Sequence, residues 1–340
     1  MRQKEKDEQF AARLPGVLHF HATMLADQLR NELLYKAIRT NLSEGMSFLD
    51  IGAGTGIWAI LAAKLGAKRV VAVEIEECLI PVIYKHALEN GVADRIEILH
   101  GNVNDIKLKG RFDVIVSELF GGDAFGNETV RSMVDVRERF LAPGGTFIPQ
   151  KLAIMAAPAH FERAASPTPA GLPISTAFVR GLRANFSSFV SISERDRLKL
   201  LAKPKVLVEV DFTKAQAAPS LENLVASWNL RNVARANAIA TFNHSTFTDE
   251  IQMDAFGSQS WVSSVVEFNS FPVARGELSY RTTLAGEQGN WSISVPSDPT
   301  LPPQSFSPVF ALTKLRMSQQ MTPHRRFRAK KNAKDKMNKA

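Results

Sequence analysis

One cysteine, Cys78, in 340 residues leaves no partner for an internal disulfide and no basis for a cysteine-rich zinc site, and it fits a reducing compartment. It is expected to be a packed helix residue. No uninterrupted apolar run reaches the length that crosses a bilayer, and the charged stretch Met1 to Gln9 has no apolar core behind it. Neither a membrane contact nor an export signal is expected, and the sequence reads as soluble and cytoplasmic. No internal repeat is evident. The body of the chain also lacks excess charge: residues 314–340 hold ten Lys or Arg against Asp335, so that of the net +8 the tail carries +9 and the remainder −1. The tail is expected to be disordered, either a solvated terminus or a contact for an anionic surface. With 45% hydrophobic residues the chain is long enough for two domains with cores of their own.

What is present is organised around Ser47 to Gly56, an apolar strand that enters a glycine-rich turn and then the helical run Ile57 to Leu65. Gly52, Gly54 and Gly56 remove the Cβ atoms that would hold a ligand off the backbone, and the next helix offers unpaired N–H groups. The spacing is G-x-G-x-G with Ile57 following, so the dinucleotide pattern G-x-G-x-x-G is not met. Asp50, just before the glycines, suits a cationic ligand better than a pyrophosphate. Eighteen residues after Gly56, the strand at 69–74 ends in Glu74, placed to accept both hydroxyls of a ribose.

Around this centre the pattern alternates. Phe20 to Thr40 has helical spacing and is expected to lie over the cofactor mouth with His21, Asp27 and Arg30 as its polar residues of interest. A helix at 77–90, strands at 95–99 and 111–117, a helix at 128–141 and a strand at 145–149 follow. The reading is an α/β fold: residues 1–19 a leader, loose through Pro15-Gly16, and 20–149 a doubly wound, Rossmann-like domain. After Pro149 short alternating runs at 207–212, 238–242, 261–268, 278–282 and 291–295 predict a β-rich, barrel-like domain over 150–313, with 160–185 as an excursion from it and 314–340 as the basic tail.

In open α/β sheets ligands sit beyond the carboxyl ends of the strands, here at Ser117-Glu118-Leu119-Phe120-Gly121-Gly122-Asp123-Ala124-Phe125-Gly126-Asn127-Glu128. Glu118 and Glu128 bracket a glycine-rich hairpin. Paired carboxylates suit a guanidinium, which presents five N–H donors in a planar fork. Each also has a plain alternative: Glu118 as an acceptor for its own loop, Glu128 as a favourable charge at a helix start.

Asp50, the three glycines and Glu74 resemble the S-adenosyl-L-methionine site of class I methyltransferases, and the glutamate hairpin resembles the double-glutamate loop of the protein arginine methyltransferases. His21 to Arg30 resembles that family's leading helix, and Leu141 to Pro149 its junction with a β-barrel. The resemblance implies cofactor contacts at His21, Arg30, Asp50, Gly52, Gly54, Gly56, Glu74, Asn104 and Glu118, with Arg30 on the methionine carboxylate. It implies Glu118 and Glu128 as catalytic, and Ser260 of Gln259-Ser260-Trp261 as a substrate-aligning residue or a plain loop serine, beside a Trp261 that fits barrel packing. The implied activity is methyl transfer to a guanidino nitrogen, most directly of arginine in a protein or peptide, by a homodimer that uses the 160–185 excursion. The chain departs from the family in a hairpin one residue longer, in Asn104 where an acid is usual and in lacking the tyrosine motif of the first helix. A small-molecule methyltransferase and a nucleic-acid-binding relative without catalysis stay open as alternatives.

Overall fold

The computed structural model describes residues 3–120, 125, 128–162, 187–190, 192–284 and 289–306. Helices α1 (Gln3–Ala26) and α2 (Gln28–Asn41) lead into β1 (Ser47–Ile51), α3 (Ile57–Lys64), β2 (Arg69–Glu74), α4 (Ile80–Glu89), β3 (Ile96–His100), β4 (Phe112–Ser117), α5 (Thr129–Phe140) and β5 (Leu141–Ile148). The strands form a parallel sheet in the order β3-β2-β1-β4-β5. All of β1 is buried, as a central parallel strand covered on both faces must be. The period of two sorts its side chains. Phe48, with Val70 and Val114, packs under α2, α3 and α4, while Leu49 and Ile51, with Val71 and Ile115, face α5.

Two expectations at the start of the chain need correction. Residues 3–19 are not a loose leader: α1 runs through Pro15 and Gly16. Arg13 Nη2 reaches both carboxylate oxygens of Glu76 (2.8 and 2.6 Å), an exposed ion pair that ties this part of the helix to the segment after β2. The helix expected over 20–40 is instead two helices broken at Asp27. That residue leaves helical geometry (φ −75°, ψ 86°) and its Oδ1 accepts the Arg30 N–H at 3.3 Å, so it caps α2.

The second half is all strand apart from short 3-10 turns among the described residues. Strands β6 (Lys151–Phe161), β7 (Ser187–Val190), β8 (Leu198–Leu200), β9 (Lys205–Asp211), β10 (Leu224–Leu230), β11 (Ala238–Thr248), β12 (Ile251–Asp254), β13 (Ser263–Glu267), β14 (Gly276–Thr283), β15 (Asn290–Ser294) and β16 (Gln304–Phe306) build two antiparallel sheets. One runs β7-β13-β11-β6-β8, with β12 on β11 and β9 on β6; the other runs β10-β14-β15-β16. Trp228, Ile239, Tyr280 and Ile293 pack in one cluster. Its spine is β6 against β11, from Lys151–Thr246 to Ala159–Ala238. The two halves share a core: Leu34 and Ile38 of α2 pack in one cluster with Phe247, Met253 and Trp261. Among the described residues no helix is long and apolar enough to cross a membrane. The hairpin residues 121–124 and 126–127, most of the 160–185 excursion and the basic tail lie outside the described residues.

Gly56 shows why one of the turn glycines cannot change. It sits at φ +81° at the entry of α3, where an added Cβ would lie 2.7 Å from Ile83 Cγ2. Backbone strain of about 1–3 kcal/mol for a side chain in this region adds to the clash. Gly56→Ala is expected to lower the urea midpoint accordingly, with an unchanged slope, measured by circular dichroism.

Candidate active site

The turn after β1 is fixed to β2 before any side chain contributes: the Gly52 and Ala53 N–H groups both donate to Val73 O (2.9 and 3.0 Å). Glu74, next in β2, takes the Gly54 N–H on Oε2 at 2.7 Å and the Glu76 N–H on Oε1 at 2.8 Å. These bonds orient the carboxylate and leave each oxygen a further lone pair toward the cavity that it lines. Gly52 and Gly54 both have positive φ; a Cβ on Gly52 would fall 2.3 Å from Leu119 Cδ2, and one on Gly54 2.7 Å from His21 Cε1. The backbone there is therefore approached from two sides. Gly56 lines neither this cavity nor the smaller one beside it, and its role is the close packing on Ile83.

The cavity has a volume of about 470 Å³, within the range of small-molecule sites. Phe20, His21 and Met24 of α1 line it together with Ile75, Val103, Met133, Asn104 and Ser132. Asn104 Nδ2 donates to Ser132 Oγ at 3.0 Å. Burial lowers the pKa of His21; the charge of Arg30 adds to this and that of Glu74 opposes it. Asp50 does not face the turn's ligand side as expected. It is 1% exposed and accepts the Ala59 N–H at the start of α3 (3.1 Å). Burial raises its pKa to about 7, against the pull of that hydrogen bond and with a further push from Glu74.

Glu118 follows β4 and is 9% exposed. Two distant segments meet on it. Arg30 of α2 forms an ion pair with Oε2, and Trp261, from the loop between β12 and β13, donates Nε1–H to Oε1 at 2.8 Å. Arg30 is thus engaged by the glutamate as well as lining the smaller cavity next to the glycines. Its Nη1 donates to Asn31 Oδ1 at 2.8 Å, while Nε is buried with no partner. An orphaned cationic donor beside a glycine cradle and a ribose-type carboxylate fits an amino-acid carboxylate carried by a nucleoside.

Asp27 makes the second link between the halves. Its Oδ2 accepts Ser258 Oγ (2.5 Å), the Gln259 N–H (2.9 Å), the Ser260 N–H (2.8 Å) and Ser260 Oγ (2.7 Å). Burial would raise its pKa, but these bonds outweigh it and hold the carboxyl below its usual value. Ser260 lines the cavity.

The structure therefore gathers His21, Arg30, Gly52, Gly54, Glu74, Asn104, Glu118 and Ser260 around two adjoining cavities. Glu128 is not among the residues that line them. Glu128 is an exposed residue at φ 61° before α5, and its carboxylate pairs with Arg131 at 3.1 Å. The indole contact of Trp261, assigned to packing from its apolar surroundings, and the role of Ser258 escaped sequence reasoning, because each depends on residues more than a hundred positions away. For Asp27 the signal was present: a helix-capping residue type in the middle of an apolar helical pattern.

A parallel sheet with a glycine turn after its first strand, an acid closing its second and a carboxylate at the end of its fourth defines a Rossmann-like fold. Residues 32–150 match the family model described as "Ribosomal protein L11 methyltransferase". Over 84% of its length the chain shares its fold with solved protein arginine methyltransferases. It overlays the Trypanosoma brucei PRMT1 enzyme-prozyme heterotetrameric complex with AdoHcy at a TM-score of 0.67 with 20% identity, over 84% of this chain and 97% of that one. Protein arginine methyltransferase 10 of Arabidopsis thaliana overlays at 0.65 with 20% identity, over 84% and 95%. In sequence the chain is similar to the probable protein arginine N-methyltransferase 6 of Arabidopsis thaliana, 37% identical over 42% of this chain and 33% of the relative. The probable protein arginine N-methyltransferase 6.2 of Oryza sativa subsp. indica is 28% identical over 64% and 56%. The chain spans between about a quarter and just over half of the length of such relatives.

The burial of Asp50 has a measurable sign. In the unfolded chain it ionises near 3.8, in the fold near 7; across that window folding takes up a proton, so stability falls as pH rises from about 4 to about 7 and is flat above. Asp50→Asn keeps an acceptor for the Ala59 N–H and has no charge to bury. Denaturation curves of the two proteins are expected to differ least near pH 4, with the variant gaining on the order of a few kcal/mol by pH 7.

Proposed function

We propose that this protein transfers the methyl group of S-adenosyl-L-methionine to a guanidino nitrogen of arginine in a protein or peptide. The observation that carries this is Glu118: a buried carboxylate at the end of β4 that lines the same cavity as Glu74. Glu74 would hold the ribose hydroxyls, the Gly52–Gly54 backbone the region beside them, Arg30 Nε the amino-acid carboxylate, and Asn104 with Ser132 the base. Bound there, the cofactor supplies an electrophilic methyl group on a sulfonium.

The residues of the chain do the rest by position and charge. Glu118 already accepts one bond on each oxygen, from Trp261 and Arg30. Its remaining lone pairs suit two N–H groups of a guanidinium, whose third nitrogen is then free to face the methyl carbon. Ser260, on the cavity wall and hydrogen-bonded to Asp27, would align the incoming side chain. The proton released from nitrogen goes to Glu118 or to water. A reducing, cytoplasmic location and a homodimer go with this reading.

A second reading, a small guanidino or other small-molecule acceptor on the same scaffold, is favoured by the exposed position of Glu128 on Arg131, outside both cavity linings. Incubating the protein with isotopically labelled cofactor and either an arginine peptide library or free guanidino compounds, followed by mass spectrometry, separates the two. Label on peptides alone supports protein arginine methylation, and label on free compounds alone overturns it.

Two substitutions test the assigned residues. Glu74→Ala is expected to weaken cofactor binding by roughly ten- to a hundredfold in calorimetric titration, the range for a charge-assisted contact. Glu118→Gln keeps shape and removes charge; kcat on a verified peptide should fall by about tenfold or more at saturating cofactor, and wild-type rates in this variant would remove the guanidinium mechanism.

A further inference from the structure

Arg195 lies in the 3-10 turn Ile192–Arg197, far in sequence from every residue of the site. Its guanidinium is aimed at one object, the loop between β12 and β13. Nη1 donates to Ser258 O and, at 3.4 Å, to Phe256 O; Nη2 donates to Trp261 O. That same loop is held on its other side by carboxylates. Asp254 Oδ1 takes the Phe256 and Gly257 N–H groups (3.0 and 3.3 Å), and Asp27 Oδ2 takes those of Gln259 and Ser260. The 256–257 and 258–259 peptide groups therefore each have an anion at the N–H end and the Arg195 cation at the carbonyl end. This is a fixed geometry for a segment with no regular secondary structure of its own. Burial lowers the pKa of Arg195, while the charges of Asp27 and Asp254 support its ionised form.

The loop so clamped delivers Trp261 Nε1 to Glu118 and Ser260 to the cavity wall. We infer that Arg195 is a positioning residue for methyl transfer, fixing through the 256–261 carbonyls the indole that orients Glu118 and the serine that faces the acceptor. The inference rests on the proposed function for its consequence in turnover, while its structural core stands apart from it. Without the guanidinium, three carbonyls in a part-buried setting lose their donors, and the loop relaxes away from Glu118 while the cofactor end of the site, built on β1 and β2, stays as it is.

The test reads the indole directly. In protein with 15N-labelled tryptophan, Trp58, Trp228, Trp261 and Trp291 give four indole signals, and Trp261→Phe assigns the one in question. Glu118→Gln marks the direction in which that signal moves when its carboxylate acceptor loses charge. Arg195→Gln is expected to shift the Trp261 signal the same way and leave the other three in place. On a verified peptide, kcat is expected to fall by roughly tenfold with cofactor affinity within about twofold, and Arg195→Lys, which restores charge without the fork, to recover part of it. An unmoved Trp261 signal in folded Arg195→Gln overturns the inference, as does wild-type kcat. Should Arg195→Gln fail to fold, Arg195→Lys carries the same measurement: a smaller shift in the same direction supports the role and an unmoved signal overturns it. If the wild-type protein methylates no arginine peptide, the proposed function fails, while the indole shift still decides the clamp.

Discussion

A carboxylate taken out of water must be repaid in full by its neighbours, and Glu118 states that requirement for the whole molecule. Removing one partner of a buried ion pair costs about 3–5 kcal/mol because the other charge is left uncompensated. The partners here come from a helix 88 residues earlier and a barrel loop 143 residues later. The parallel sheet sets the carboxylate at the end of β4, α2 brings the cation, and the antiparallel half brings the indole. Neither half alone completes the surroundings of this one side chain, and the shared apolar core of α2 with Phe247 and Trp261 is what lets them meet.

Sequence reading succeeds where structure is made by neighbours along the chain. The turn after β1 was legible because glycine conformational freedom, strand hydrophobicity and the following helix are all local, and Glu74 because the βαβ unit fixes its distance from that turn. Strands β2 and β4 were legible as mainly apolar runs, and β3 by its place in the alternation. Strand β6 was not: Ala153, Ala156, Ala157 and Ala159 are all buried, so alternation vanishes and alanine gives no strand signal. The first five turns of α1 were missed because Pro15-Gly16 is ordinarily a stop signal, and the Arg13–Glu76 contact that bridges it is 63 residues apart.

The candidate site divides along the same line. Residues that act through the backbone around them, Gly52, Gly54 and Glu74, stand out in the sequence. Those that act through long-range side-chain bonds do not. Arg195 follows a stretch with no clear pattern and is one basic residue among many; nothing at positions 192–197 announces three carbonyls sixty residues on. Asp50 looked like a ligand-facing acid because it precedes the glycines, whereas the alternation of β1 turns it under α3. Glu128 looked paired with Glu118 by their spacing, a relation that a hairpin of unusual length need not preserve.

The junction at Asp27 also bears on how the two halves can move. One carboxylate oxygen takes four donors from a three-residue stretch of the barrel loop, and the other caps α2. Contacts that share a single acceptor are lost together when that acceptor withdraws: drawing α1 and α2 away strips the loop of all four. Opening of this seam is therefore expected to be cooperative, with closed and open populations and little between them, so that the helix over the cavity and the wall that faces the acceptor change state as a unit.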